Sequence, residues 1–217
     1  MTALDARSLY RFFHTGDEET LALQGVSLSV DAGEFVVVTG PSGSGKSTLL
    51  ACLAGVDEPD GGTVRVAGER LSHRPEPERA RMRARHIGVV FQSGNLLDHL
   101  TVRQNVRLVR SLARSRTPIA SVLESAGIAH RADALPRTLS GGESARAALA
   151  VATAGSQTVL LADEPTGELD GDTEELVLRL LRGLADAGGA VLVASHSSGV
   201  ARAADRVVEL LDGRVVA

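Results

Sequence analysis

The sequence predicts an α/β protein with a helical insertion, and three observations support this class. Short apolar runs rich in β-branched residues, at 35–39, 158–162 and 190–194, have the length and composition of buried strands. Helical segments follow the first two runs, and such alternation is typical of α/β domains. Between 93 and 139 no strand pattern is found, so this portion is interpreted as helices inserted into the α/β core.

The other elements are predicted from local patterns along the chain. Strands are expected at 8–13 and 26–30 around a polar loop at 14–20, and further strands at 63–67 and 86–92. Helices are predicted at 76–85, at 101–114 with Thr101 as N-cap, from Thr117 with Pro118 at the first helical position, at 144–154 and at 172–187. An Asp-Gly turn closes a final hairpin between 205–211 and 214–216.

Composition limits the classes of function. With 217 residues the chain can form one large domain, or a domain with a subdomain. A net charge of −4, 2% aromatic residues and no tryptophan argue against nucleic acid as the main partner. The single cysteine, Cys52, excludes an internal disulfide and a cysteine metal site. Residues 1–13 carry charges where a signal peptide needs an apolar core, and no apolar run approaches a membrane span, so a cytosolic protein is expected.

A glycine-rich loop follows the strand at 35–39 and precedes a helix that starts at Lys46. It fits the phosphate-binding pattern G-x-x-x-x-G-K-[ST], in which bare backbone and a helix N-terminus form an anion site. Lys46, the only lysine in the chain, is expected to reach the β- and γ-phosphates, and the Ser47 hydroxyl to bind Mg²⁺. The alternative is a Gly/Ser turn with an exposed lysine. The candidate residues are Gly40, Pro41, Ser42, Gly43, Ser44, Gly45, Lys46, Ser47 and Thr48.

Polar residues end three other predicted strands. Asp163 and Glu164 are adjacent carboxylates whose mutual repulsion needs compensation, which suggests that Asp163 holds Mg²⁺ and that Glu164 deprotonates a water attacking the γ-phosphate. Gln92 can contact Mg²⁺ or that water, or can simply be a polar residue that ends a strand. His196 is expected to contact the γ-phosphate or the water, the alternative being a structural or surface histidine.

A second anion site is predicted at the start of the helix over 144–154. Ser140 and Glu143 form a capping box, in which each side chain binds the other residue's backbone N–H. Gly141 and Gly142 are poor helix formers, so some other requirement must favour bare backbone there. A single nucleotide needs one phosphate site, and this chain carries two.

These motifs, in this order, resemble the ATP-binding subunits of ATP-binding-cassette (ABC) transporters over almost the whole chain. The resemblance implies a P-loop NTPase core with a mixed sheet, built from 1–92 and 140–217, and a helical subdomain at 93–139. It implies ATP and Mg²⁺ as cofactors, ATP hydrolysis, a membrane permease as partner, and a peripheral location on the inner face of the cell membrane. It also implies a dimer that sandwiches each ATP between the phosphate loop of one copy and residues 140–142 of the other.

The resemblance further assigns roles to individual residues. Phe13 lies where the family places an aromatic residue that stacks on adenine, Gln92 senses the permease, Glu164 is the catalytic base, Asp170 makes a cross-dimer contact and His196 is the switch histidine. The subgroup that includes macrolide exporters, lipoprotein-release ATPases and the cell-division ATPase is the most similar. The alternatives are an ABC ATPase that acts outside transport and a module that binds ATP and transmits a mechanical signal.

The sequence departs from the family pattern at two acidic positions. Glu143 replaces a usual glutamine and Glu168 replaces a common asparagine. Both add negative charge near the shared ATP. The hypothesis is that they make dimer closure less favourable or more dependent on Mg²⁺.

Overall fold

A computed structural model describes residues 1–15, 18–155, 157–167 and 169–216, without the side chains of 14, 15, 18 and 19. Its strands, in chain order, are β1 (Thr2–Thr15), β2 (Glu18–Asp31), β3 (Phe35–Thr39), β4 (Gly61–Val66), β5 (Glu69–Arg70), β6 (Ile87–Val90), β7 (Val159–Asp163), β8 (Ala190–Ala194), β9 (Arg206–Leu211) and β10 (Arg214–Val215). Its α-helices are α1 (Lys46–Leu53), α2 (Glu76–His86), α3 (Val102–Leu112), α4 (Ile119–Ser125), α5 (Gly141–Thr153), α6 (Gly171–Asp186) and α7 (Ser198–Ala203).

The central feature is a six-stranded sheet in the order β10-β9-β3-β8-β7-β6. Neighbours from β9 to β6 pair in parallel, and β10 pairs antiparallel with β9, so the sheet is mixed as expected. The carboxyl ends of β3, β8, β7 and β6 therefore meet at one edge. Open α/β sheets bind their ligands at this edge.

A second sheet is antiparallel, with the order β2-β1-β4-β5. The expected strands at 8–13 and 26–30 are much longer in the structure, and the expected loop at 14–20 is mostly paired, with Thr15 opposite Glu18. The boundaries were wrong because an antiparallel hairpin with one exposed face tolerates polar residues along its backbone ladder, so polarity did not mark a loop. Residues 16 and 17 lie outside the described part.

The hydrophobic core has three parts. The first lies between the two sheets and includes Leu4, Val36, Leu49 and Leu161. The second covers the other face of the parallel sheet with α5, α6 and α7. The third joins α3 and α4 to α5. Helix α5 thus lies between the sheet and the inserted helices, and it links any movement of these helices to the sheet.

Between 93 and 139 the described residues form helices α3 and α4 and two short 3₁₀ turns, Ala129–Arg131 and Pro136–Thr138. The capping box at Thr101 is present, with Gln104 as its reciprocal partner. Pro118, expected at the first helical position, is instead the N-cap of α4, because its ψ of 134° is extended rather than helical. The short α7 was missed by the sequence patterns. In the described ranges no helix combines the length and apolar character needed to cross a bilayer.

Candidate functional site

The glycine-rich loop follows β3 and runs directly into α1. Gly40 and Gly45 have φ values of 147° and 102°, which favour glycine. A Cβ at Gly40 would lie 2.1 Å from the carbonyl oxygen of Leu210, and one at Gly45 would lie 2.4 Å from that of Ala22. Both positions therefore need glycine because of the neighbouring backbone, whether or not a ligand is bound. Gly43, with φ of 81°, has no atom within 4 Å of such a Cβ and lines an open part of the loop.

The loop has the features of an anion site. Lys46 Nζ donates to the carbonyl oxygens of Gly40 and Pro41, at 2.8 and 3.0 Å, so its charge lies over the loop. Helix α1 begins after Gly45 with no side-chain cap, which leaves its first N–H groups available to a ligand. The Ser44 hydroxyl is buried without a hydrogen-bond partner in the described part of the chain. Pro41, Ser42 and Ser47 are exposed, and Thr48 is half-buried.

The polar residues expected at strand ends share one edge of the sheet. Ser195 N donates to Val38 O of β3 at 3.1 Å, and Glu164 N donates to Ala194 O of β8 at 2.9 Å. These bonds join the ends of β3, β8 and β7 side by side. Neighbouring strands are about 4.8 Å apart, so the ends of β3 and β7, with β8 between them, are about 10 Å from each other across the sheet.

The Glu164 carboxylate contacts two neighbours. Oε1 lies 2.8 Å from His196 Nδ1, and Oε2 accepts a hydrogen bond from Ser195 Oγ at 2.9 Å. The Glu164 side chain is 14% exposed, whereas that of His196 is 73% exposed. Glu164 has a φ of 46°, an unusual left-handed conformation for a residue with a side chain, and such strain is common at functional sites. Sequence reasoning missed Ser195, although its place between a buried strand and a candidate histidine was a signal.

Gln92 lies on a loop rather than at a strand end. The expected strand at 86–92 ends at Val90, and the Asn95 side chain bonds both the N–H and the C=O of Phe91, each at 2.7 Å. Gln92 is exposed and lines a cleft of about 580 Å³ together with Gly141, Glu164 and His196.

The start of α5 has the predicted cap. Ser140 Oγ accepts from Glu143 N at 3.2 Å, and Glu143 Oε2 accepts from Ser140 N at 2.9 Å. Gly141 is exposed, and a Cβ there would approach nothing closer than 3.9 Å. At Gly142 a Cβ would lie 2.5 Å from Thr173 Cγ2 of α6. Packing within the chain therefore explains Gly142, and it does not explain Gly141.

The negative charge of Glu143 is compensated locally. Its Oε1 lies 3.3 Å from Arg131 Nε and 3.4 Å from His130 Nε2. The Ser140 N–H and the charge of Arg131 lower the pKa of Glu143 below its ordinary value. Glu168, the other departure, lies outside the described residues.

Two other predicted site residues, Phe13 and Asp170, lie near the end of β1 and at the start of α6. The ring of Phe13 is 38% exposed near the end of β1, and the Arg11 guanidinium lies 4.7 Å from its centroid. Asp170 is the N-cap of α6 and accepts a hydrogen bond from Thr173 N at 2.9 Å, which lowers the pKa of its carboxyl.

Three of the predicted site residues carry oxygen atoms that suit Mg²⁺. Ser47 offers a hydroxyl, Asp163 a carboxylate and Gln92 an amide oxygen, all hard ligands of the kind Mg²⁺ prefers. Across the described ranges, no three His, Cys, Asp or Glu side chains converge as a metal site. This fits a cation held by one or two side chains together with phosphate oxygens.

Comparisons with known proteins agree with this geometry. The ABC transporter family profile matches residues 23–167. The macrolide export ATP-binding/permease protein MacB of Salmonella choleraesuis (strain SC-B67) is 39% identical over 222 residues, covering 100% of this chain and 34% of its own length. MacB of Burkholderia thailandensis is 41% identical over 211 residues, covering 95% of this chain and 32% of its own. The chain thus spans about a third of the length of these curated relatives.

Two solved structures of MJ0796 align with nearly the whole chain. One is the dimeric structure of this bacterial ABC transporter cassette, and the other is its dimeric post-hydrolysis state bound to ADP and Pi. Each has a TM-score of 0.92 and 34% identity, and the alignment covers 99% of this chain and 97% of that one. Because the profile covers more than half of the chain and these cassettes align over nearly all of it, the chain belongs to the ABC transporter family, as one of its ATPase cassettes.

Proposed function

We propose that this chain binds and hydrolyses ATP, as a dimer, to drive a membrane permease of an export system. The observation that carries the proposal is the common edge of four neighbouring strands, where the phosphate loop follows β3, His196 follows β8, Asp163 ends β7 with Glu164 next to it, and Gln92 follows β6. This edge brings an anion site, hard oxygen ligands and a candidate base to one place.

The phosphate loop binds the ATP phosphates. The open backbone at Gly43 and the first N–H groups of α1 face the anion, and Lys46 exchanges its two carbonyl partners for β- and γ-phosphate oxygens. Ser47, and Asp163 through water, would hold Mg²⁺, with Gln92 as a further ligand, and the ion would neutralise charge on the phosphates. The exposed Phe13 ring stacks on the adenine.

Glu164 acts as the general base. Its carboxylate takes a proton from the attacking water while the water oxygen bonds to the γ-phosphorus and the bond to the β-phosphate oxygen breaks. His196 lies against the same carboxylate and is mostly exposed, so it can contact the γ-phosphate and the water together. The products are ADP and phosphate.

The second copy of the chain supplies the rest of the site. Helix α5 packs on β6, where a Cβ at Gly88 would lie 2.3 Å from the Ala152 carbonyl oxygen. Ala152 lies near the end of α5, whereas Gly141 at its start lines the cleft beside Glu164, and in the described part of the chain no phosphate-loop residue lines that cleft. We propose that residues 140–143 close on the γ-phosphate of the partner's ATP, with Asp170 at the same interface. The dimeric state of MJ0796 supports this arrangement.

A permease is the proposed membrane partner. The MacB relatives are, by name, combined export ATP-binding and permease proteins, and they are about three times as long as the shared region. We propose that 1–92 and 140–217 form the ATP-binding core, and that the helical subdomain at 93–139, with the loop that carries Gln92, contacts the permease. Phe91 and Leu97 on this loop are each 44% exposed, which suits such a contact. The chain then lies on the inner face of the cell membrane.

Two measurements test the proposal. The purified chain with Mg²⁺ should release phosphate from ATP, and Glu164→Gln should lower turnover by about 10² or more while ATP still binds. With ATP and Mg²⁺ the same variant should form dimers in light scattering. A chain that binds ATP without turnover would be a binding module instead, and a chain that is absent from membranes containing its permease would act outside transport.

A further inference from the structure

Ser195 lies between the phosphate-loop strand and the proposed base. It is fully buried, its N–H bonds Val38 of β3, and its hydroxyl bonds Glu164 Oε2 at 2.9 Å. We infer that Ser195 is a positioning residue, which holds one carboxylate oxygen of Glu164 so that the other, Oε1, receives the proton from water. This inference rests on the proposed function of Glu164.

The direction of the Ser195 hydroxyl hydrogen follows from its other partner. A serine hydroxyl has one hydrogen to donate and also accepts. Ser195 Oγ accepts from Ser197 N at 3.1 Å, so its own hydrogen remains for Glu164. A hydrogen bond to an ionised carboxylate is stronger than a neutral one, and burial excludes the water that would compete with it.

The loop that carries Ser195 is itself held in place. Ser197 Oγ donates to Glu174 Oε1 of α6 at 2.6 Å and accepts from Gly199 N at 3.1 Å as the cap of α7. A Cβ at Gly199 would lie 3.0 Å from Glu174 Oε1, so this junction is tight. Ser195 is therefore supported from β3, α6 and α7, which is the kind of second set of contacts that a precise catalytic geometry needs.

The two carboxylate oxygens of Glu164 therefore have different surroundings. Oε2 faces the buried Ser195, whereas Oε1 faces His196, whose side chain is 73% exposed. Glu164 and His196 both line the open cleft, so water reaches the carboxylate from the side of His196. The structure thus assigns proton transfer to Oε1, between Glu164 and His196, and anchoring to Oε2.

A matched pair of variants tests this role. Ser195→Thr adds one methyl group to a buried position, and Ser195→Val adds the same methyl group and replaces the hydroxyl by a second one, so only threonine keeps the hydroxyl. We expect kcat of the valine variant to be about tenfold below that of the threonine variant, with the KM for ATP within about twofold, because ATP does not contact Ser195. Ser72→Ala is the control, since Ser72 is also buried and accepts from Val64 N at 3.0 Å far from the site.

A double-mutant cycle shows whether the effect passes through Glu164. In a Glu164→Gln background the residual single-turnover rate should not fall further when Ser195 becomes valine. Equal kcat for the threonine and valine variants, or an equal fold-loss with and without Glu164, would overturn the inference. If the unmodified chain shows no ATP turnover at all, the proposed function itself fails. If the unmodified chain hydrolyses ATP, Glu164→Gln abolishes this turnover, and Ser195→Val leaves kcat unchanged, the proposed function stands and only the positioning role of Ser195 is refuted.

Discussion

Gly141 and Gly142 are neighbours at the start of α5, and the structure predicts opposite results for their replacement by alanine. At Gly141 the new methyl group has room, since its nearest neighbour, Leu169 Cδ2, would lie 3.9 Å away, an ordinary van der Waals distance. At Gly142 it would lie 2.5 Å from Thr173 Cγ2, and a β-branched side chain in a helix has little freedom to move away. One substitution therefore tests the surface presented to a partner, and the other tests packing inside the chain.

The expected stabilities follow from these contacts. Gly141→Ala should leave the free energy of unfolding unchanged or raise it by up to about 1 kcal/mol, because alanine loses less conformational entropy in a helix. Gly142→Ala should lower it by about 1–3 kcal/mol, the usual range for overpacking. Urea unfolding of the monomer without nucleotide measures both.

ATP-driven dimerisation should weaken in the Gly141 variant, although this variant keeps its stability. A methyl group at 141 would stand between the helix N–H groups and the γ-phosphate of the partner's ATP, so ATP-driven dimerisation should weaken at least tenfold in spite of normal stability. The assay is light scattering with ATP and Mg²⁺ in the Glu164→Gln background. Gly183→Ala is the control, since Gly183 is an exposed helical glycine with open space around it. If the Gly141 variant dimerises as tightly as this control, residues 140–142 do not bind the second nucleotide.

Three further outcomes are expected. Arg182 and a backbone N–H lower the pKa of Asp205, so the native state gains stability that is present above the ordinary aspartate pKa of about 3.9 and is lost as the pH falls through the lowered value. Asp205→Asn should cost less than about 1 kcal/mol at pH 7, because solvent reaches both side chains (Arg182 is 30% and Asp205 49% exposed) and screens the pair, and this difference should shrink in acid unfolding curves. Arg11→Ala removes the guanidinium over the Phe13 ring and should raise the KM for ATP about threefold at constant kcat; a lower kcat would argue against a role in binding alone. Burial raises the pKa of the Cys52 thiol to about 12, so a thiol reagent should react only on unfolding, and fast labelling of the native chain would contradict this.

Local motifs were predictable because their chemistry lies within a few residues. The capping box at 140–143 and the strand at 190–194 have the predicted form because hydrogen bonds within one turn, or one run of apolar residues, determine them. The phosphate loop follows its strand and opens its helix for the same reason. The length of the β1–β2 hairpin was not predictable, since pairing with the partner strand determines whether a polar segment continues as a strand or forms a loop.

The sequence by itself determined the α/β class, the two glycine-led helix starts and the polar residues at the ends of β7 and β8, since these depend on short-range periodicity and backbone freedom. Only the tertiary structure decided that Ser195 bonds Glu164, that Gly142 lies against Thr173 and that Gly141 has room for a side chain. The physical reason is the strand order β3-β8-β7-β6, which places side by side segments that are far apart along the chain. Local patterns carry no information on which elements become neighbours, and contacts across that edge create the site.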